Sequence, residues 1–197
     1  MEPNLQELLK NVADFFESEN IPYGIVGSMA LFKYGEPRFT QDIDVVADIP
    51  LGKIARLCER FSSSECYISE TAVREAVLRK FQFNIILHRT GLKVDVMIPG
   101  NSAFDRSRLS RTQPFTEWGP TIQFASPEDV IIKKLEYYKL GDSDKHIRDI
   151  LSILRCQREK IDREYIRKWV AEMELEAQWE MILEKEKYYK IIERGNP

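Results

Sequence analysis

Three aspartates are the residues of this sequence whose type and spacing best fit a chemical site. Asp42 and Asp44 stand two positions apart in the apolar stretch 42–46, and Asp95 stands within a second one, 92–98. Side chains two apart on a strand point to the same face of the sheet. Mg²⁺ is typically bound by one or two carboxylates together with phosphate oxygens and water. The pattern therefore predicts that Asp42, Asp44 and Asp95 are catalytic residues that hold Mg²⁺ or Mn²⁺.

A Gly-Ser pair upstream of the aspartates predicts a phosphate-binding turn. Gly27-Ser28 follows a short apolar strand predicted at 23–26, and a new helix is predicted to begin at Met29. Unpaired amides at a helix N-terminus bind anions, and a glycine lets the backbone approach a phosphate closely. A triphosphate at this turn, beside two metal ions on the carboxylates, would suit an in-line displacement in which one carboxylate accepts the proton of the attacking hydroxyl.

The period of the apolar residues indicates the elements that position this site. A hairpin is predicted around Arg89-Thr90-Gly91, and the stretch 104–120 is predicted to be irregular. In order, the predicted elements are a helix from Leu5 to about Asn20, strands at 23–26 and 42–46, helices at 54–61 and 73–78, and strands at 81–88 and 92–98.

The remainder of the chain is predicted to be helical. Ser126-Pro127 is a strong helix start, with a capping serine and proline in the first turn. Apolar residues then recur at helical spacing, in a small bundle or in helices that close over the core. The prediction is an α/β (α+β) fold, with a small mixed sheet flanked by helices as a core at 1–125 and a helical C-terminal region at 126–197.

Composition narrows the function only slightly. The 197 residues are 43% hydrophobic and carry a formal net charge of -3. A chain this apolar is not disordered, and its charge argues against a wholly electrostatic nucleic-acid binder. The segment 145–168 has eight Lys or Arg against four Asp or Glu, which suits either an RNA backbone or an ordinary helix face.

The cysteines and histidines predict neither a disulfide scaffold nor a zinc site. Cys58, Cys66 and Cys156 are odd in number and unpaired in spacing, and neither His88 nor His146 has a partner at metal-binding spacing. The N-terminal residues show no targeting pattern, and no run approaches the roughly 18 apolar residues of a membrane span. We therefore expect a cytoplasmic protein that does not bind membranes.

At these residues the sequence resembles the nucleotidyltransferase superfamily with the polymerase-beta-like fold. Its signature has a hydrophobic residue before Gly-Ser, then D-h-D, then a later strand aspartate between hydrophobic residues. Val26-Gly27-Ser28, Asp42-Ile43-Asp44 and Val94-Asp95-Val96 match that signature. Minimal nucleotidyltransferases and abortive-infection type toxins are the most similar branches, since Arg38 and Thr40 match their R-x-T-x-D-h-D motif. The likeness covers roughly residues 20–155.

The resemblance implies a metal-dependent enzyme that transfers a nucleoside monophosphate from a nucleoside triphosphate to a hydroxyl and releases pyrophosphate. The acceptor would be RNA, a protein or a small molecule, and the chain would act as the toxin of a toxin and antitoxin pair. Gly27, Ser28, Arg38, Thr40 and Lys134 are its candidate nucleotide-binding residues. Lys134 and the later pair Arg148-Asp149 are similar to the lysine and the basic-Asp pair of the toxin-like branch.

Simpler interpretations stand beside each of these hypotheses. A D-x-D pair is usually a solvated turn, and Asp95 could be an ordinary partner of Lys93 on an open sheet face. Lys134 could be a solvated helix position, and Arg148-Asp149 a surface ion pair. As a whole, the chain could be a catalytically silent nucleotide-binding or RNA-binding module with the same fold.

Overall fold

The structure is a computed structural model that describes residues 4–195, with side chains through residue 188. It contains two compact units. One unit comprises residues 1–29 and 39–126 and contains all the strands, and the other comprises residues 30–38 and 127–197 and is helical. We call them the sheet unit and the helical unit. Residues 30–38 belong to the helical unit, although they lie between the two segments of the sheet unit along the chain.

The sheet unit is built on one mixed sheet of seven strands in the order β3-β4-β5-β2-β1-β7-β6. β2 pairs in parallel with β5, and β1 pairs in parallel with β7, while the other neighbours are antiparallel. The strands are β1 Tyr23–Ile25, β2 Asp42–Ala47, β3 Cys66–Tyr67, β4 Gln82–Leu87, β5 Lys93–Met97, β6 Gln113–Phe115 and β7 Ile122–Phe124.

Four helices belong to the sheet unit: α1 Leu5–Ser18, α3 Ile54–Phe61, α4 Glu70–Arg79 and α5 Ala103–Ser110. The first begins at a capping box, in which the Asn4 side chain accepts from the Glu7 amide and the Glu7 carboxylate accepts from the Asn4 amide. Its apolar stripe, including Leu9, Val12 and Phe16, is fully buried. Burial of this face supplies most of the helix stability, because isolated helices of this length are marginal in water.

The two faces of the central strands differ in chemistry. Along β5, and along β2 from Asp42 to Val45, half-buried and buried residues alternate, so that Ile43, Val45, Val94 and Val96 are fully buried on one face. The other face carries the polar residues of both strands. This alternation is the period of two expected of strands with one covered face, and it confirms the predicted orientation of the Asp-containing strands.

The helical unit contains α2 Leu31–Tyr34, α6 Pro127–Gly141, α7 Asp144–Gln157, α8 Arg163–Glu172 and α9 Glu176–Gly195. The segment 30–38 is held within it by α7. The Ser152 hydroxyl accepts from the Glu36 amide at 2.6 Å, and the Gln157 amide donates to the Tyr34 carbonyl at 2.9 Å. A Cβ at Gly35 would lie 2.9 Å from the Ser152 hydroxyl oxygen and 3.1 Å from Leu31 Cδ2, so a larger residue there would have to displace these side chains.

Two sequence predictions of local structure are wrong. The stretch 104–120 is not irregular, since it contains α5 and β6, and β7 follows it at Ile122. Its pattern is weak because α5 buries only Phe104 and Arg108, and β6 is three residues long. The helix predicted from Met29 begins at Leu31 and ends at Tyr34, after a turn at 27–30.

The described part of the chain contains no helix long and apolar enough to cross a membrane. Cys58 is buried, Cys66 is half-buried and Cys156 is exposed, and all three are free thiols. Burial raises the pKa of the Cys58 and Cys66 thiols, which lowers their thiolate fraction at neutral pH.

Candidate active site

Asp42, Asp44 and Asp95 lie on the same face of the sheet, and we call them the acidic cluster. β2 and β5 are parallel neighbours, and their register places Asp44 directly beside Asp95. Paired strands lie about 4.8 Å apart, so the Asp44 and Asp95 side chains leave the sheet as immediate neighbours. Asp42 is one pleat away on the same face. The prediction that Asp95 joins the face of the other two aspartates therefore holds in the structure.

Lys93 and Asn84 contact the acidic cluster directly. Lys93 is in register with Asp42, and its ammonium lies 2.8 Å from Asp95 Oδ2 and 3.8 Å from an Asp42 carboxylate oxygen. Asn84 on β4 is in register with Asp95 on the other side. With its amide nitrogen facing Asp95, Asn84 donates to Asp95 Oδ1 at 2.9 Å. Both oxygens of Asp95 thus accept a hydrogen bond.

Electrostatics bind Lys93 to these carboxylates. The hydrogen bond to Asp95 raises the pKa of Lys93, and the negative charges of Asp95, Asp42 and Asp44 add to this effect, which exceeds the opposite effect of burial. Lys93 is therefore a full positive charge at neutral pH. It partly neutralises the acidic cluster, which would otherwise place three negative charges close together.

The donor set of the acidic cluster fits a hard divalent cation in its chemistry. Mg²⁺ and Mn²⁺ prefer carboxylate oxygens, and neighbouring parallel strands provide three of them on one face. The side-chain conformations do not yet gather around one point. Within residues 4–188, no group of three or more His, Cys, Asp or Glu side chains is arranged to hold a metal ion. At Asp95 both carboxylate oxygens accept hydrogen bonds, Oδ1 from Asn84 and Oδ2 from Lys93.

Gly27 lies against Asp44, and the contact requires glycine. The Val26 amide donates to the Asp44 carbonyl at 2.9 Å, which brings the turn beside β2. A Cβ at position 27 would lie 1.9 Å from Asp44 Oδ2 and 2.6 Å from Asp44 Cγ. Gly27 also has φ +63°, a left-handed conformation that favours glycine. The turn and the acidic cluster therefore form one continuous surface.

We expect Gly27→Ala to move the Asp44 carboxylate. Gly91→Ala is the matched control, because Gly91 has φ +68° and a Cβ added there would meet no atom within 4 Å. Both substitutions should lower the free energy of unfolding by about 1 to 2 kcal/mol through the left-handed backbone. Of the two, only Gly27→Ala should weaken the nucleotidyl transfer that the sequence resemblance implies, by about a hundredfold, because ångström-scale misplacement of a reacting group has that cost.

The measurements for this pair are urea denaturation and a nucleotidyl-transfer assay on each purified variant. Equal activity in the two alanine variants would show that the Gly27 contact does not position Asp44 for function.

Ser28 and Thr40 border the acidic cluster along the chain. Ser28 is half-buried in the turn after Gly27. Thr40 is half-buried just before β2, where its hydroxyl lies 3.2 Å from the Asp42 carbonyl and 3.4 Å from the Asp42 amide. Thr40 thereby fixes the backbone that enters β2, and it supports Asp42 through the main chain.

The other two predicted nucleotide-binding residues, Arg38 and Lys134, lie in the helical unit and meet at Asp149. The Lys134 ammonium donates to Asp149 Oδ2 at 2.6 Å, and the Arg38 guanidinium donates to Oδ1 at 3.0 Å and to Oδ2 at 3.2 Å. The side chains of Lys134 and Asp149 are 6% and 4% exposed, whereas that of Arg38 is 38% exposed. These three residues form a second charged group, which we call the buried triad.

Two opposing effects act on the pKa of Asp149. Burial alone would raise it, but the hydrogen bond from Arg38 and the charge of Lys134 outweigh burial and lower it. Asp149 is therefore ionised at neutral pH although it is buried. A buried carboxylate of this kind requires its cationic partners, and the partners equally require it.

The structure separates residues that spacing alone left ambiguous. Of the two adjacent lysines on α6, Lys134 points inward to Asp149, whereas Lys133 pairs with Glu136 one turn away. Of the pair Arg148-Asp149, only Asp149 joins the triad. Arg148 lines a groove of about 960 Å³ in the helical unit, together with Asp144, Ile147, Leu151, Glu184, Lys185 and Tyr188.

The sequence did not indicate Asn84 as a site residue, and it indicated Lys93 only as an ordinary ion-pair partner of Asp95. The signal for both was present in the strand period. Lys93 is two residues before Asp95 and shares its face, and the hairpin places β4 beside β5. The exact register of β4 could not be obtained from the sequence, because the turn length between the strands sets it.

Known structures with similar folds are nucleotidyltransferases. A crystal structure of an antigenic nucleotidyltransferase-like protein from Paracoccidioides brasiliensis is 23% identical, with 77% of this chain and 75% of that chain covered and a TM-score of 0.54. ANT(2")-Ia in complex with adenylyl-2"-tobramycin is 14% identical, with 88% and 98% covered and a TM-score of 0.58. The solution structure of the antibiotic-resistance factor ANT(2'')-Ia is 13% identical, with 95% and 100% covered and a TM-score of 0.55.

No protein-family model matches the chain, and no curated protein does. The structural similarities confirm the predicted fold class, since the mixed sheet with flanking helices is shared over most of each chain. The chain therefore has the nucleotidyltransferase fold of the superfamily that its Gly-Ser, D-x-D and strand-aspartate residues resemble.

Proposed function

We propose that this protein is a metal-dependent nucleotidyltransferase that transfers a nucleoside monophosphate from a nucleoside triphosphate to an acceptor hydroxyl. The observation that carries the proposal is the register of β2 and β5, which puts Asp44 beside Asp95 on the face that Gly27 adjoins. The fold supports it, because one similar structure is a nucleotidyltransferase-like protein and another was solved with adenylyl-2"-tobramycin.

In this proposal each part of the sheet unit has a distinct task. Asp42, Asp44 and Asp95 hold Mg²⁺ or Mn²⁺, which supplies Lewis-acid stabilisation of charge on the phosphoryl oxygens. Gly27 and Ser28 bind the phosphates through the turn backbone and the serine hydroxyl. The helix after this turn has only four residues, so the local amides rather than a long helix dipole would contribute here.

The proposed reaction needs only the nucleoside triphosphate and the acceptor hydroxyl as reactants. The acceptor oxygen forms a bond to the α-phosphorus while the bond from that phosphorus to the bridging oxygen breaks, and pyrophosphate leaves. The hydroxyl proton passes to the carboxylate of the acidic cluster nearest the acceptor. Thr40 steadies Asp42 through its backbone, and Asn84 orients Asp95.

Arg38 and Lys134 are retained in the proposal as nucleotide-binding residues, although Asp149 already holds both cations. If Lys134 binds nucleotide, a Lys134→Met variant should bind nucleotide more weakly than the wild-type protein. The comparison is made on folded protein, so that weaker binding is not confused with lost stability. The Arg38 side chain is 38% exposed, so its guanidinium is accessible to a phosphate while it stays bound to Asp149.

The acceptor is proposed by class. One structural relative was crystallised with adenylyl-2"-tobramycin, a nucleotidylated small molecule, so polyhydroxylated small molecules are one class to test. RNA and protein are the other two, as expected for the toxin-like branch. A toxin role and an antitoxin partner belong to the same proposal and rest on the sequence resemblance. A cytoplasmic location is proposed with them from the odd number and the spacing of the three cysteines.

The direct test is label transfer from α-labelled nucleoside triphosphates. Purified protein is incubated with each of the four triphosphates, Mg²⁺ or Mn²⁺, and total RNA, total protein or aminoglycosides in separate reactions. We expect divalent-dependent labelling of one acceptor class with release of pyrophosphate. Labelling that is independent of divalent ions would contradict the proposed mechanism.

The second candidate is a catalytically silent nucleotide-binding module, and the Lys93 contact favours it. An ammonium that occupies the carboxylates is a simple way for a former metal site to remain stable. Calorimetry with a triphosphate discriminates the two, because the enzyme should bind it much more tightly with Mg²⁺ than without, whereas the silent module should show no such dependence.

A further inference from the structure

The backbone itself places Lys93 on the same face of the sheet as the acidic cluster. It occupies β5 two residues before Asp95, and the parallel register sets it beside Asp42 on β2. Its ammonium is therefore adjacent to carboxylates on both strands, at 2.8 Å from Asp95 and 3.8 Å from Asp42. The contact is a consequence of strand pairing and not of a flexible loop.

The contact uses the oxygen of Asp95 that remains after Asn84 has bound. Asn84 donates to Oδ1, and Lys93 donates to Oδ2. Each carboxylate oxygen keeps a second lone pair, so the neutral Asn84 amide can stay when a divalent cation binds Asp95. The Lys93 ammonium, 2.8 Å from Oδ2, would repel that cation by its positive charge. Lys93 is the one that can leave, because its side chain is 36% exposed and its four-carbon stem is flexible.

We propose that Lys93 is a tethered competitor of the divalent cation: its ammonium neutralises Asp95 and Asp42 and is displaced by charge repulsion when these carboxylates ligate a metal. The inference rests on the proposed function, since it assumes that the acidic cluster is a metal site. In this inference the positive charge of Lys93 reduces the repulsion among the three carboxylates. It also makes a divalent cation bind weakly to the acidic cluster when no nucleotide is present.

The competition has a measurable consequence. A binding-competent state that is only fractionally populated lowers the apparent affinity by that fraction. A cation within about 4 to 6 Å changes the proton affinity of a carboxylate by roughly tenfold or more, and we expect a similar effect on metal affinity. Lys93→Met should therefore bind Mn²⁺ about tenfold more tightly than the wild-type protein.

In the experiment, the full chain is titrated with Mn²⁺ in the absence of nucleotide. Binding is measured by calorimetry or by the electron paramagnetic resonance signal of free Mn²⁺. Lys93→Arg retains the charge and should stay close to the wild-type affinity. Lys80→Met is the matched control, because Lys80 pairs with exposed Asp48 at 3.8 Å in the same unit and touches none of the three aspartates in the described contacts. Circular dichroism verifies that each variant is folded.

Each outcome separates the inference from the proposed function. Tighter Mn²⁺ binding by Lys93→Met, with no change in Lys80→Met, supports the inference, including the case in which only Lys93→Met binds measurably. Equal affinity of Lys93→Met and wild type overturns the inference and leaves the metal site standing. If neither protein binds Mn²⁺ at millimolar concentration, the inference fails, whereas the proposed function is tested separately by the Mg²⁺ dependence of triphosphate binding, because substrate phosphates complete such a metal site.

Discussion

Asp44→Asn is expected to lower the rate of nucleotidyl transfer by at least about a thousandfold, the equivalent of about 4 kcal/mol in the activation free energy. Asp44 occupies the centre of the acidic cluster, beside Asp95 and against Gly27. The substitution keeps the shape of the side chain but removes the charge that a divalent ion and the developing phosphoryl charge require. The measurement is label transfer under the conditions that give the highest wild-type rate.

Asp48→Asn is the control for this substitution. Asp48 follows β2 directly, and its side chain is 56% exposed and 3.8 Å from Lys80. The Asp48→Asn substitution removes the same charge from the same part of the chain without touching the acidic cluster. Its activity should remain within about twofold of wild type, because exposed ion pairs contribute little. An Asp44→Asn variant that keeps more than a tenth of the wild-type rate would rule out Asp44 as an essential ligand.

Asp149→Ala should lower the free energy of unfolding by about 3 to 5 kcal/mol, the usual effect of removing one partner from a buried ion pair. The variant leaves the buried Lys134 ammonium without its carboxylate and releases Arg38. Urea denaturation at neutral pH measures the change. Asp144→Ala on the exposed first turn of the same helix should cost about 1 kcal/mol at most.

A double variant distinguishes charge burial from simple loss of packing. Lys134→Met combined with Asp149→Leu removes both buried charges and keeps apolar volume, and it should recover much of the stability lost in Asp149→Ala, because apolar replacement of a buried pair is often nearly neutral. A loss below about 1 kcal/mol in Asp149→Ala would mean that the triad does not support the helical unit.

The pH dependence of stability follows from the direction of the Asp149 shift. The folded pKa of Asp149 lies below its ordinary value, so its stabilising effect is complete above the unfolded-state pKa of about 4. The effect is lost as the pH falls through the lowered folded value. Wild-type protein should therefore lose stability more steeply than Asp149→Ala when denaturation is repeated between neutral pH and acid.

The sequence predicted the sheet part of the site better than the helical part for a physical reason. Asp42, Asp44 and Asp95 lie in strands whose apolar residues alternate cleanly, so the period of two assigns their face. Which strands are neighbours is a matter of tertiary pairing, and the parallel contact of β2 with β5 joins segments about fifty residues apart. The sequence resemblance suggested that convergence, but the strand pattern alone did not require it.

The buried triad was much harder to predict. Arg38 precedes the sheet strand that carries Asp42 and nevertheless packs with α7, more than a hundred residues later. No local pattern marks the segment 30–38 as part of the helical unit. Likewise, Lys133 and Lys134 are adjacent on α6 and point in different directions only because of the helix rotation between them. The sequence does not show which of the two points inward unless the elements that pack against α6 are known.

The path of the chain restricts how this protein can be recombined. The backbone passes between the two units three times, after Met29, after Arg38 and after Ser126. A fragment that ends at residue 126 would keep Glu36 and Arg38 but lose Ser152 and Asp149, which bind them. The helical unit therefore cannot be exchanged by fusion or gene rearrangement at a single junction. A replacement of the helical unit must also replace the internal segment 30–38.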